Sequence, residues 1–94
     1  MIFLVISTPQ LARPSTVVEQ RKKYWPWAES KLKIGTAKCF YARAGRGAVA
    51  IFDVESNEVL HRHLNEWSEI VPAEFDIYPL IDSQQIQKFL SNEI

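Results

Sequence analysis

The side chains best suited to proton transfer in this chain are its two histidines, His61 and His63. An imidazole exchanges a proton near neutral pH, so either residue is a candidate general acid or base. Both lie where apolar residues repeat at helical spacing, with His63 inside the apolar arc and His61 on its flank. The alternative for each is a structural position on the helix. Two residues at this spacing point apart, so no metal site is indicated.

A second candidate set for acid/base chemistry lies earlier in the chain. Glu19 is followed by Lys22 and Lys23, which places a carboxylate and an amine on one side of a predicted helix. Such a pair can remove a proton at one position and return it at another. The competing interpretation is an exposed ion pair on the helix surface.

The strongest aromatic feature is Tyr24 and Trp25, next to Pro26 and Trp27. A proline inside a helix removes a hydrogen-bond donor and clashes with the preceding turn, so a kink or break is expected near Tyr24 and Trp25. A kinked aromatic helix over a sheet can leave a flat-walled cavity for a planar substrate. Core packing or contact with a partner subunit is the alternative role for these rings.

Further candidate substrate-binding residues are Tyr41, Arg43 and Trp67. Alternation places Tyr41 and Arg43 on one face of a predicted strand, together with Ala37 and Cys39. An arginine at a strand end beside a pocket can clamp a carboxylate, although a solvated arginine is an equally good interpretation. Trp67 shares the apolar arc of the second helix with His63.

Composition limits the class of protein. The 94 residues are 47% hydrophobic and 12% aromatic, which is typical of one globular domain spanning residues 1–94. The single cysteine, Cys39, rules out an internal disulfide and favours a reducing, cytoplasmic setting. The apolar segment at residues 1–6 is too short for a signal sequence or a membrane span.

Charge is segregated along the chain although the formal net charge is zero. Residues 13–46 are basic and the remainder is acidic. A basic region can attract an anionic ligand such as a carboxylate or a phosphate. Complementary surfaces within the fold or between subunits would give the same segregation. Nucleic acid is not an expected partner, since there is no basic excess and no recognition-helix or RNA-binding motif.

Hydropathy and turn residues predict the elements that position these side chains. Strands are expected at residues 2–7, 36–43, 48–54 and 75–81. The first helix is expected to be capped by Ser15 or Thr16, to run to about Lys33 and to end at Gly35. The second helix is expected to start at the cap Ser56, and a short terminal helix to follow residues 82–83.

The resulting order is βαββαβ with an extra C-terminal helix. It predicts an α+β, ferredoxin-like fold with an antiparallel sheet, in which the first and third strands are central. Pro79 agrees with this order, because a residue without an N–H group suits an edge strand.

Residues between 44 and 77 match a known family in the hairpin, the third strand and the second helix. They are Ala44-Gly45, Ala48, Phe52-Asp53-Val54, Ser56, Glu58, Leu60-His61, Leu64, Pro72 and Asp76-Ile77. On these residues and the apolar first strand, the chain resembles the muconolactone isomerase-like family of dimeric α+β barrel proteins. The resemblance implies a sheet that packs against that of a partner, in a homodimer or a larger ring of dimers.

The resemblance also implies a reaction without cofactor or metal, in which acid/base catalysis shifts a double bond within an unsaturated, carboxylate-bearing lactone or aromatic-derived carboxylate. In an ungapped match the family's helix-1 carboxylate falls near Tyr24 and Trp25, with Glu19 and the two lysines close by. One alternative is a cofactor-free monooxygenase or cyclase acting on a polyphenolic substrate. Another is a non-catalytic binding or assembly subunit.

The predicted site therefore has two groups of residues. The acid/base candidates are His63, Glu19, Lys22, Lys23 and His61, and the substrate-binding candidates are Tyr24, Trp25, Tyr41, Arg43 and Trp67.

Overall fold

The computed structural model describes residues 1–92. Within them, four strands and three α-helices follow one another in the predicted order. They are β1 (Ile2–Pro9), α1 (Val18–Lys33), β2 (Ala37–Ala42), β3 (Ala48–Asp53), α2 (Asn57–Ile70), β4 (Ala73–Leu80) and α3 (Ser83–Asn92), with a short 3-10 helix, Pro14–Val17, before α1.

The four strands form one antiparallel sheet in the order β2-β3-β1-β4. Val5 in β1 pairs with Ala50 in β3 on one side and with Ile77 in β4 on the other. The α+β, ferredoxin-like prediction is confirmed, as is the edge position of the strand that contains Pro79. The central strands β1 and β3 thus lie between the edge strands β2 and β4.

The core lies between one face of the sheet and the helices α1 and α2. Alternate residues of β1 and β3, such as Val5 and Phe52, are buried on this inner face. Trp67 of α2 is 2% exposed, and its ring lies 5.1 Å from Tyr24 and 5.2 Å from Phe75 between centroids. Burying rings of this size supplies much of the stability of a small domain.

The start of the first helix differs from the sequence prediction. Neither Ser15 nor Thr16 caps it, because residues Pro14–Val17 already form a 3-10 helix with the proline in its first turn. The Thr16 hydroxyl instead donates to the Arg13 carbonyl oxygen at 2.8 Å. The helix α1 then begins at Val18 without a side-chain cap.

The helix α1 does not break at Pro26, near which a kink or a break was predicted. The helix α1 is continuous across this residue, from Val18 to Lys33. Pro26 and Lys22 are both exposed, so the Lys22 carbonyl oxygen that lacks an N–H partner can be solvated by water. The aromatic rings around Pro26 therefore lie on one continuous helix.

The predicted ends of the helices are confirmed at two places. Gly35 follows α1 with a φ of 82°, and its N–H donates to the Leu32 carbonyl oxygen at 3.2 Å. The Ser56 hydroxyl caps α2 by accepting from the Val59 N–H at 3.2 Å. Both contacts satisfy backbone groups that a helix leaves unpaired.

An irregularity between Ala37 and Cys39 changes which residues of β2 share a face. Ala37 and Phe40 pair with the inner-face residues Phe52 and Ala50, whereas Tyr41 pairs with Val49 on the opposite face. The prediction that Ala37 and Tyr41 lie on one face is therefore wrong, because an extra residue inverts the alternation.

Large apolar side chains remain exposed at the C-terminal end. Ile86, Phe89 and Leu90 of α3 and Leu80 of β4 are all exposed. Among residues 1–92, no helix combines the length and the apolar character needed to cross a membrane. The exposed side chains thus mark an apolar surface that the rest of residues 1–92 leaves open to solvent.

Candidate ligand-binding site

A cavity of ≈ 100 Å³ lies between α1, the end of β1 and the hairpin that joins β2 to β3. Cationic, aromatic and small residues line it: Arg21, Arg43, Arg46, Tyr24, Trp25, Ser7, Pro9, Ala42, Gly45, Gly47, Ala48, Val71 and Ala73. We call it the arginine pocket. Three of the predicted residues, Tyr24, Trp25 and Arg43, meet here.

One wall of the arginine pocket is formed where the hairpin between β2 and β3 lies against β1. Gly47 has a φ of 100°, and a Cβ atom at this position would overlap the Ser7 carbonyl oxygen. The buried Ser7 hydroxyl accepts from the Ala48 N–H at 2.8 Å and donates to the Ala48 carbonyl oxygen at 3.2 Å. A serine on β1 thus fixes the position of the hairpin.

Two of the three arginines donate hydrogen bonds to backbone carbonyl groups around the pocket. Arg43 Nη1 donates to the Ser7 carbonyl oxygen at 2.9 Å, and Arg46 Nη1 donates to the Ala12 carbonyl oxygen at 2.8 Å. Within residues 1–92, Arg21 makes no hydrogen bond or ion pair through its side chain. The described lining contains no aspartate or glutamate, so the cavity is electropositive.

Tyr24 is the most deeply buried polar residue of the pocket lining on α1. Its side chain is 5% exposed, and its hydroxyl has no hydrogen-bond partner among the described residues. Burial raises the pKa of this phenol far above neutral pH. The hydroxyl is therefore protonated, and it is shielded from solvent.

The structure places His63 away from the arginine pocket. It lines a separate, open cleft of ≈ 320 Å³ with Asp53, Glu55 and Arg62, among other residues. Its ring stacks on Phe52 at 6.0 Å between centroids, and its Nδ1 atom is buried without a partner among the described residues.

The surroundings of His63 disfavour its charged form. Burial lowers the pKa of His63, the charges of Lys31 and Arg62 lower it further, and Glu66 opposes them. His61 is exposed instead, with Nε2 3.1 Å from Asn65 Nδ2. The two histidines thus have different environments, as their helical positions predicted.

The unusual environment of His63 makes the stability of the fold depend on pH. Because the folded-state pKa is below the unfolded value, the unfolded chain binds the proton more readily. We expect the free energy of unfolding in urea to be highest above about pH 6.5, the ordinary pKa of a histidine, and to fall as the pH is lowered below it. His63→Gln is expected to flatten this dependence, and His61→Gln to retain it. Equal slopes for the two variants would contradict the assignment to His63.

The carboxylate of Glu66 joins α1 to α2. Glu66 Oε1 accepts from Trp27 Nε1 at 2.9 Å and lies 3.1 Å from Lys31 Nζ. The hydrogen bond from Trp27 is the main reason that the pKa of Glu66 is lowered.

Trp67, which was predicted to contact substrate, lies in the hydrophobic core. Its position is that of a packing residue between the helices and the sheet.

The remaining predicted residues lie on the surface. Glu19 and Lys22 form an exposed ion pair at 3.5 Å, and Lys23 is exposed on the same helix. Tyr41 is 67% exposed on the outer face of the sheet. None of these four is among the residues that line the arginine pocket.

Sequence reasoning did not select Arg21, Arg46 or Gly47. Arg21 precedes Tyr24 by one helical turn, so the spacing that puts both on one side of α1 was a usable signal. The role of Gly47 depends on its contact with β1, which is distant in the chain. Nothing in the local sequence gives that contact.

Comparison with known proteins identifies the family of this chain but does not indicate an activity. No curated protein matches the sequence. A family model described as a domain of unknown function, DUF3303, matches residues 1–94, so the chain belongs to the DUF3303 family.

Proposed function

We propose that the arginine pocket binds a small, flat organic anion, such as an unsaturated lactone that bears a carboxylate or an aromatic-derived acid. The observation that carries this proposal is the set of three arginines around one cavity whose described lining has no acidic residue. Guanidinium groups match the planar geometry of a carboxylate and form charge-assisted hydrogen bonds with it.

The size and walls of the pocket limit the ligand. A volume of ≈ 100 Å³ is well below the several hundred Å³ typical of sites for drug-sized molecules. This volume favours a single small ring over the polyphenolic substrate of a monooxygenase or cyclase. Tyr24 and Trp25, whose rings meet edge to face at 5.0 Å, supply apolar walls beside the charges.

Binding is therefore the activity best supported, and a second candidate is cofactor-independent isomerisation. The Arg21 guanidinium favours it, because a cation beside the substrate stabilises the oxyanion that forms when a proton leaves the carbon beside a carbonyl. The base would come from outside the described pocket lining. Glu19, Lys22 and Lys23, on the exposed side of α1, stay candidates for this role.

Arg21→Met tests the binding proposal. The substitution removes the pocket guanidinium that has no partner among residues 1–92, so we expect benzoate affinity to fall by roughly 10- to 100-fold, as the loss of a charged hydrogen bond implies. Isothermal titration calorimetry measures the change. The matched control is Lys33→Met, which removes a positive charge from the exposed end of the same helix and is expected to bind as wild type does.

Benzamide tests whether the charge of the ligand or its shape determines the affinity, because it is flat and similar in size to benzoate but neutral. Equal affinity for benzamide and benzoate would contradict recognition of the carboxylate. Deuterium uptake by a muconolactone in D₂O, followed by NMR, then distinguishes the two candidates. Uptake with the protein present supports proton transfer, and binding without uptake supports a binding module.

We propose further that a second copy of the chain covers the outer face of the sheet. The face carries an apolar patch that spans all four strands and comprises Ile2, Leu4, Ile6, Cys39, Tyr41, Val49, Ile51, Tyr78 and Leu80, with Thr8, Asp53, Glu74 and Asp76 beside it on the same face. A sheet face left in water normally carries polar residues. Two such faces are self-complementary, which suits a homodimer with or without further assembly into rings.

The free thiol of Cys39 is consistent with a reducing compartment. Cysteines without a disulfide partner are typical of proteins that function inside the cell. We therefore place the proposed activity in the cytoplasm.

A further inference from the structure

The helix α3 lies apart from the core of its own chain. All of its residues are exposed, and it makes no extended contact with another helix or strand among residues 1–92. The radius of gyration is 15.4 Å, whereas a compact chain of this length would have about 12 Å. The chain is therefore longer than its core requires, and α3 extends beyond that core.

The helix nevertheless has a defined start and an apolar side. Asp82 Oδ1 accepts from the Gln84 N–H at 2.9 Å and so caps the first turn. Ile86, Phe89 and Leu90 share one side of the helix at a spacing of three and four residues. An isolated helix as short as Ser83–Asn92 is only marginally stable in water. Its apolar side therefore needs a surface to pack against.

The same chain carries an apolar strip that no helix covers. Ile77 and Pro79 of β4 pair with Val5 and Phe3, which are buried on the inner face of the sheet. Paired residues point to the same face, yet Ile77 is 43% exposed and Pro79 is also exposed. The helices α1 and α2 thus cover the central strands and leave the end of the edge strand β4 open.

The exposed apolar area of this segment is large enough for a dimer contact. Seven of the twelve large apolar side chains exposed among residues 1–92 lie between residues 77 and 90, and each is about half exposed. Together they present on the order of 600 Å². This area approaches the roughly 800 Å² that each subunit buries in a dimer of ordinary size.

A second copy of the chain matches both features, because it offers a strip without a helix and a helix without a strip. Only Ile81 and Asp82 join α3 to its own β4, and α3 does not pack on that strand. A lipid surface is a poorer match. Lys88 is the one cationic residue of α3, whereas helices that bind membrane surfaces are rich in lysine and arginine.

We propose that α3 is an exchanged arm whose apolar side packs on Ile77 and Pro79 of a second copy. The strip lies on an edge strand, so a helix from the partner reaches it past the free edge of the sheet. Two-fold symmetry makes the same contact twice in each dimer. This inference rests on the proposed homodimer and adds a second contact to it, on the other side of the sheet.

Phe89→Gln tests the contribution of the arm. Phe89 is exposed in the single chain, so circular dichroism is expected to show an unchanged fold. The dissociation constant of the dimer is expected to rise at least about 10-fold, because each dimer loses two buried rings. Sedimentation velocity measures the change. Leu11→Gln, which removes a fully exposed apolar side chain outside the arm, is expected to associate as wild type does.

Cross-linking shows which copy the arm contacts. In a Cys39→Ser background, chains with Ile77→Cys are co-expressed with chains that carry Phe89→Cys and are treated with a short bismaleimide. Mass spectrometry is expected to find a covalent dimer that joins positions 77 and 89. Absence of this link, or a link within one chain when both substitutions are on the same copy, would overturn the exchange.

Leu4→Lys separates the arm from the outer-face contact. If Leu4→Lys weakens association but Phe89→Gln associates as tightly as wild type, the arm alone fails. If only Phe89→Gln weakens association, the outer-face contact fails and the arm stands. A wild-type protein that is monomeric but floats with phosphatidylglycerol vesicles would overturn both, and would assign α3 to a lipid surface.

Discussion

Gly47→Ala is expected to lower the free energy of unfolding by about 3 kcal/mol and to abolish binding in the arginine pocket. The positive φ of 100° disfavours any side chain. The new methyl group would also overlap the Ser7 carbonyl oxygen. Ser7 belongs to the central strand β1, so its backbone cannot move without disturbing the sheet. Urea unfolding gives the stability, and calorimetry with benzoate gives the affinity.

Gly45→Ala is the matched control for the stability measurement. Gly45 lies in the same hairpin with a φ of 97°, but a Cβ atom there would meet no atom within 4 Å. Only the backbone conformation is disfavoured, so we expect a loss of about 1 kcal/mol. Equal losses for the two alanine variants would show that the contact between the hairpin and β1 does not determine the effect.

Leu4→Lys is expected to convert the proposed dimer to monomers. Leu4 lies on the outer face of the central strand β1, between Ile51 of β3 and Tyr78 of β4. Burying an unpaired ammonium group in an apolar interface costs roughly 3 kcal/mol or more, which corresponds to at least about 100-fold weaker association. Sedimentation velocity over a range of concentrations measures the change.

Leu11→Lys provides the same chemical change outside the proposed interface. Leu11 is fully exposed before α1, so the variant is expected to associate as wild type does. In the monomeric state the lysine of Leu4→Lys can extend into water, and circular dichroism should therefore show a folded chain. A wild-type protein that sediments as a monomer would refute the homodimer.

Much of the fold could be predicted because its signals are local. Apolar alternation identified the strands, Ser56 marked the start of α2, and Gly35 marked the end of α1. Pro79 indicated an edge strand, since it has no N–H group to give to a neighbour. The irregularity in β2 was not predictable, because it depends on how β2 pairs with β3 and not on its own residues.

The site was less predictable for a related reason. Tyr24, Trp25 and Arg43 were identified by residue type, and they meet because α1 crosses the sheet beside the hairpin. The position of His63 on the apolar arc correctly indicated burial. It could not indicate which cleft the residue lines, because that depends on where the ends of β3 and α2 lie relative to the hairpin.

The strand order has a consequence for how the chain acquires its structure. Ile2 in β1 pairs with Asp53 on one side and with Leu80 on the other, so β1 is synthesised well before either of its partner strands. Contacts between distant parts of a chain slow folding. During synthesis this apolar strand lacks its first partner until β3 has been made and its second until β4 has been made, and an unpaired apolar strand is prone to aggregation in that interval.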